Sequence, residues 1–293
     1  MKICSGNVLG EFLKEIRYNG LALSTVNAYQ KDIAYFAKWY MDTTDKEPHL
    51  GDVTSIDLRE YQGYMQSVQD LRPATINRRM AALEKYIRWA HEKGYVDRLP
   101  TFPKIVREQK TPPKALGRVE QNRLLREAER RGKVRNIALI RLMMSCGLRV
   151  SEVVAIRLTD LDIGERHGMV AVRGKGNKYR EVPVPPEARK AIREWMIERA
   201  KRYPDSDWLF PNRNGGHITA RNAEQLVKNI GKFAGLDIHP HVLRHTAATN
   251  MIRTGADLVT VAQILGHANL NTTAIYTKPD RKTMMEALEK GEI

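Results

Sequence analysis

Several polar side chains sit among neighbours that would hold them where an unspecialised fold has little use for them. Arg149 stands in the run Ser145-Cys146-Gly147-Leu148-Arg149-Val150-Ser151-Glu152. Gly147 reads as the end of one helix and Ser151 as the start of the next, so the guanidinium falls at a junction where it can point into a cleft. Lys175 lies in a Gly-Lys-Gly turn whose glycines let backbone approach a ligand closely; Lys178, three residues on, competes for the same role. In His239-Pro240-His241-Val242-Leu243-Arg244-His245, the three-residue spacing puts His241 and Arg244 on one helical face. His267 follows Leu265-Gly266, and Tyr276 ends the run Asn271-Thr272-Thr273-Ala274-Ile275-Tyr276. Three histidines so close together suggest a metal centre, but no carboxylate or cysteine ligand accompanies them and the helical His-Glu-x-x-His spacing is absent, so no metal is expected. Each group also has an ordinary reading, such as a helix-terminal arginine, a solvated turn lysine or a tyrosine packed through its ring.

The elements that must position these groups are mostly helical. Val26, Tyr29, Ile33, Phe36 and Tyr40 recur at helical spacing after Ser24, a second pattern begins at Asp57, and a third opens at Pro73 with Ile76, Met80, Leu83, Ile87 and Ala90 as its apolar stripe. Residues 1–98 thus read as a helical bundle. Pro100, Pro103, Pro112 and Pro113 then break the pattern, predicting an extended linker over 99–116. The remainder, 117–293, is mixed. Helices are predicted near 118–131, 134–146, 150–157, 187–202, 219–234, 242–254, 257–265 and 281–290. Two alternating runs around Gly174-Lys175-Gly176-Asn177 predict a hairpin with Val170, Val172, Val182 and Val184 on its core face. The fold class is therefore mainly α with a small β-sheet, in two domains.

Charge narrows the partner. The chain has 293 residues with 49 Lys+Arg against 34 Asp+Glu, a formal +15, and a pI near 9.8, which favours nucleic acid or an anionic membrane surface. Residues 1–116 carry net +4 and the rest +11, as two cationic jaws closing on a polyanion would. No stretch approaches the roughly 18–20 apolar residues that span a bilayer, and the N-terminal residues hold no signal-peptide core. Two cysteines, Cys4 and Cys146, exclude a disulfide framework and suit a reducing cytoplasm.

Taken together and in order, CGLRVSEV around Arg149, VRGKGNKYREVPV around Lys175, HPHVLRHTAAT around His241 and Arg244, and ILGHANLNTTAIYT around His267 and Tyr276 resemble the tyrosine recombinase (phage integrase) family, most closely its short Xer-type members. FLKEIRYNGLALSTVNAYQKDIAYFAKWY and ATINRRMAALEKYIRWAHEKGY resemble that family's helical core-binding (SAM-like) domain. The similarity covers nearly the whole chain. It implies a core-binding domain at 1–98 and a catalytic domain at 117–293 ending in a tail helix, without the extra arm-binding domain of larger phage integrases. Tyr276-Thr277-Lys278 departs from the Tyr-Thr-His usual in Xer-type enzymes, which bears on subfamily and not on chemistry.

The resemblance implies that Tyr276 attacks a DNA phosphodiester, leaving a covalent 3′-phosphotyrosyl intermediate and a free 5′-hydroxyl. Arg149 and Arg244 would hold the non-bridging oxygens with planar, permanently charged forks, His241 would accept the tyrosine proton, His267 would bond the phosphate, and Lys175 would protonate the leaving oxygen. Glu152 either orients Arg149 or His241, or caps a helix from its third position. Neither metal nor ATP is required, because the arginines supply the charge and the phosphotyrosyl ester keeps the bond energy. Arg78, Arg79, Lys85 and Arg88 on one helix, and Arg221, Lys228 and Lys232 on another, are candidate DNA-backbone contacts. Met284, Met285 and Leu288 of the tail could pack on the parent domain or, as the resemblance implies, on a neighbouring protomer, in a ring of four, homo- or heterotetrameric, on duplex DNA. A type IB topoisomerase-like relaxing enzyme, or a non-catalytic DNA-binding protein on the same scaffold, are the alternatives.

Overall fold

The structure is a computed structural model that describes residues 6–108, 114–174, 179–267 and 271–274, together with residues 285 and 289. The chain divides into two compact units, residues 1–110 and 111–293.

The first unit is built from α1 (Gly6–Tyr18), α2 (Leu23–Thr44), α3 (Ser55–Ser67) and α4 (Pro73–Glu92). Val26, Ile33, Phe36 and Tyr40 of α2 and Ile76, Leu83, Ile87 and Ala90 of α4 are buried, as their period requires. Pro73 sits in the first turn of α4, where its missing N–H costs nothing. Two features depart from the expectation. The second helical pattern starts earlier than Asp57, because Thr54 caps the helix and Asp57 returns a bond to the Thr54 backbone N–H (2.7 Å). A further helix, α1, precedes the first expected one, with Val8, Phe12 and Ile16 buried against α2 and α4.

The proline-rich connector has no regular structure where described, yet its start is anchored. Thr101 N donates to Ser55 Oγ (2.7 Å), Gln62 Nε2 to Lys104 O (3.0 Å), and Asn77 brackets Val106 with bonds of 2.8 and 2.9 Å. Phe102 and Val106 pack on the helical core. An extended segment without a neighbouring strand has no ladder of its own, so side chains satisfy its backbone groups instead. The end of the connector belongs to the second unit: Leu116 is buried there and donates its N–H to Thr246 Oγ1 (2.9 Å).

The second unit runs α5 (Arg118–Arg130), α6 (Val134–Cys146), α7 (Val150–Val154), β1 (Leu161–Ile163), β2 (Gly168–Arg173), β3 (Tyr179–Pro183), α8 (Pro186–Arg202), α9 (Ala220–Phe233), α10 (Pro240–Arg253), α11 (Leu258–Leu265) and α12 (Asn271–Ala274). Helix α6 is buried on nearly every side and packs against α8 and α10. The sheet is antiparallel in the order β1-β2-β3, with Val170 facing Val182 across one ladder and Leu161 across the other. All four valines expected on the core face of the hairpin are buried; β1 adds a third strand to the expected two. Helix α7 is shorter than expected, ending at Val154. The expected tail helix at 281–290 lies, apart from residues 285 and 289, outside the described residues, as do Lys175 to Lys178 of the hairpin turn. No helix of the described residues is long and apolar enough to cross a membrane.

Candidate active site

Arg149 is the residue just before α7, in extended conformation after Gly147 has closed α6 in the left-handed region (φ 64). Gly147 is required twice over: its conformation disfavours side chains, and a Cβ there would come 2.6 Å from Leu265 Cδ2. The close approach brings the junction between α6 and α7 against the end of α11.

Glu152 fills both roles left open for it. Its Oε2 accepts the Arg149 backbone N–H (2.8 Å), capping α7, and its Oε1 accepts from the Arg149 guanidinium (2.9 Å). It also takes a two-pronged bond from Arg180 of β3, Nη1 to Oε1 and Nη2 to Oε2, both 3.0 Å. Arg244 of α10 stands 4.0 Å from the same carboxylate. Glu152 is almost wholly buried; burial raises its proton affinity, but Arg180, the Arg149 backbone and the Arg149 charge outweigh it and hold the carboxyl below its usual range.

The end of α11 completes the arrangement. A helix leaves its last carbonyls without intrahelical partners. Here Gly266 (φ 66) and His267 fold back, the Gly266 N–H reaching Gln263 O and the His267 N–H reaching Ala262 O, both at 3.0 Å. The next three carbonyls each receive an arginine: Ile264 O from Arg180 Nε (2.9 Å), Leu265 O from Arg244 Nη2 (2.7 Å) and Gly266 O, more loosely, from Arg149 Nη2 (3.4 Å). Arg244 Nη1 reaches Gly147 O (2.7 Å) as well. Negative carbonyl ends and one carboxylate thus gather three guanidiniums. Within this cluster one formal negative charge faces three positive ones, so it retains an affinity for a further anion. Arg149, with 36% of its side chain exposed against 5% for Arg244, is the member open to solvent.

The histidines flank this cluster. His241 is exposed at the start of α10, and partial desolvation with the charges of His239, Arg244 and Arg149 lowers its pKa. His267 Nδ1 lies 2.8 Å from the hydroxyl of buried Thr273. Desolvation, then Arg244, Arg149 and Arg180, pushes His267 down to about 4, and desolvation with His241 and Arg244 does the same to His245. Both are neutral at pH 7. Among the described residues no group of three His, Cys, Asp or Glu side chains is arranged to hold a metal ion.

These depressed values make stability pH-dependent. An unfolded histidine takes a proton near pH 6.5, whereas His245 and His267 resist protonation in the folded chain until about pH 4. The unfolded state therefore binds more protons between those limits, and folding free energy falls as pH drops through that window. Urea unfolding at pH 7.5 and pH 5 should show the lower midpoint at pH 5, with the difference reduced in a His245→Gln/His267→Gln double variant. An equal difference in that variant would contradict the assignment.

Of the six residues expected in catalysis, Arg149, His241, Arg244 and His267 converge on this place; Lys175 and Tyr276 lie outside the described residues. Arg180 was not anticipated. The signal for it was parity: Val182 and Val184 face the core, so Arg180 shares their side of β3, where a cation needs a buried anion. The candidate DNA contacts differ among themselves. Arg78 pairs with buried Asp32, and Arg79, only 12% exposed, lies 3.9 Å from the same carboxylate and over the Tyr35 ring (4.3 Å). Arg88 pairs with Glu84 (2.8 Å) and Lys228 with Glu224 (2.9 Å). Lys85, Arg221 and Lys232 are exposed.

A helical unit is followed by a mixed unit that bears this cationic site, and comparison with known proteins gives the family. Residues 114–283 match the phage integrase family and residues 9–94 match the phage integrase N-terminal SAM-like domain. The chain belongs to this family, the tyrosine recombinases. It is 34% identical over 281 residues to tyrosine recombinase XerC of Corynebacterium glutamicum, covering 93% of this chain and 87% of the relative. It is also 34% identical to tyrosine recombinase XerD of Caulobacter vibrioides, covering 87% and 86%. Among solved structures, the XerH site-specific recombinase bound to palindromic difH substrate, a post-cleavage complex, superposes with a TM-score of 0.76 at 25% identity, covering 98% of this chain and 84% of that one.

Proposed function

We propose that the chain acts on duplex DNA as a site-specific recombinase in which Arg149, Arg244 and His267 receive the scissile phosphate and Tyr276 attacks it. The gathering of guanidiniums at the end of α11 carries this reading: a preorganised positive site costs no reorganisation when charge builds on the non-bridging oxygens. Where the Thr273 hydroxyl donates to His267 Nδ1, the ring proton sits on Nε2 and is available to a phosphate oxygen. His241, neutral because its pKa is lowered, accepts the proton of Tyr276, whose unperturbed pKa is about 10. Lys175 gives a proton to the leaving 5′-oxygen. Rejoining reverses these steps with the 5′-hydroxyl of a partner strand as nucleophile, so no ATP enters.

DNA is held largely through its backbone by Lys85, Arg88, Arg221, Lys228 and Lys232, with Arg78 and Arg79 presented by Asp32. Replacing any one phosphate-neutralising side chain with alanine should flatten the plot of log affinity against log salt by about 0.9. The working assembly is a tetramer on two synapsed sites, its tails exchanged between neighbours, in the cytoplasm where the DNA lies. The likeness to XerC, XerD and XerH recombinases supports Xer-like resolution or integration as the task.

On nicked suicide DNA carrying its own site, the protein should form a covalent adduct in the presence of excess EDTA, at a rate that falls as pH drops through the lowered pKa of His241. Strict dependence on an added divalent cation would overturn the mechanism.

A further inference from the structure

We propose that Arg180 is a positioning residue for strand cleavage: paired with Glu152 and bonded to the end of α11, it holds Arg149 and Arg244 in the arrangement that receives the scissile phosphate. This rests on the recombinase reading above.

Arg180 ties three elements together. Its backbone belongs to β3, both Nη atoms bond Glu152 at the head of α7, and Nε bonds Ile264 O at the end of α11. With 15% of its side chain exposed against 36% for Arg149, it is well shielded from solvent. The space is built for it: a Cβ on Gly266 would come 2.8 Å from Arg180 Nη1, so the glycine that turns α11 toward His267 also leaves room for the guanidinium.

The electrostatics explain what the pair does. Glu152, 4% exposed, must be neutralised where it lies, because an unpaired buried carboxylate is costly. Arg180 meets it with a parallel two-bond fork, the strongest geometry available. Arg149 meets the same carboxylate through a single side-chain bond, and Arg244 stands at 4.0 Å. Arg180 therefore carries most of the neutralisation and leaves the positive charge of the other two for an incoming phosphate. Without it, Glu152 would draw Arg149 inward, and the Ile264 carbonyl would lose its donor at the turn that presents His267. A lysine keeps the charge but cannot span two carboxylate oxygens and a carbonyl at once.

The test compares two versions of the nicked suicide substrate, one with the ordinary scissile phosphate and one with a neutral methylphosphonate there, which needs far less positive charge around it. Arg180→Gln should bind DNA like the parent in an electrophoretic shift but cleave the ordinary phosphate on the order of 10- to 100-fold more slowly, the scale of a small misplacement of catalytic groups. Its deficit relative to the parent should largely vanish on the methylphosphonate. Arg180→Lys should fall between the two and gives the same comparison if the glutamine variant does not fold. An equal deficit on both substrates marks a merely structural role and overturns the proposal, as does unchanged cleavage of the ordinary phosphate. Failure of the unsubstituted protein to form any adduct with the ordinary phosphate would instead overturn the recombinase reading itself.

Discussion

Arg149→Lys should bind its DNA site about as well as the parent and lose cleavage by about 10²–10³-fold, equivalent to about 2.7–4 kcal/mol of transition-state stabilisation. The substitution keeps one positive charge, so long-range attraction to DNA is preserved. What it removes is the fork. In the free protein Arg149 already divides its donors between Glu152 Oε1 (2.9 Å) and Gly266 O (3.4 Å), while a third of the side chain faces solvent. A guanidinium can keep those supports and still present N–H groups to a phosphate oxygen; an ammonium on a flexible stem has three donors and no fixed plane. Single-turnover cleavage of the suicide substrate, read beside an electrophoretic shift, separates the two effects. Cleavage within tenfold of the parent would remove Arg149 from the phosphate-binding role.

Glu152→Ala should cost roughly 3–5 kcal/mol of folding free energy, the range for removing one partner of a buried ion pair. The side chain is 4% exposed, so solvent screening offers little relief. Three guanidiniums would lose the carboxylate they share, and the Arg149 N–H at the start of α7 would lose its acceptor. Because the pKa of Glu152 is lowered in the folded chain, its contribution is complete above the usual carboxylate range near 4.5 and is lost as pH falls through the folded value. Urea titration at pH 7.5 should show the loss, and Glu152→Gln, which keeps a cap acceptor without the charge, should lose less. A change below 1 kcal/mol in the alanine variant would mean that the arginines are held without it.

The sequence carries most of this architecture because the informative signals are local. Apolar spacing locates α2 and α4, paired alternating runs locate β2 and β3, and Gly147 before Arg149 announces a helix junction. Helix α1 escaped because Gly6 and Gly10 dilute its short apolar stripe of Val8, Phe12 and Ile16. Strand β1 escaped because three residues carry too little alternation to register. The connector reads as a spacer because proline forbids helix, yet its anchors are side chains of Ser55, Gln62 and Asn77 far away in sequence. The site divides the same way. Arg149 and Arg244 stand out through their neighbours, but the atoms that orient them include the backbone oxygens of Gly147, Leu265 and Gly266, and carbonyls have no letter in a sequence. Arg180 is marked only by parity, as a cation on the core side of a strand it shares with Val182 and Val184.

The most direct test of Tyr276 as nucleophile is to find which residue DNA is joined to. The protein is trapped on nicked suicide DNA in excess EDTA, the adduct is digested with nuclease and protease, and the nucleotide-bearing peptide is sequenced by mass spectrometry, with Tyr276→Phe treated in parallel. The expected result is a 3′-phosphodeoxynucleotide on Tyr276 and no adduct from the phenylalanine variant. Attachment to any other side chain, or an adduct that survives Tyr276→Phe, would contradict it.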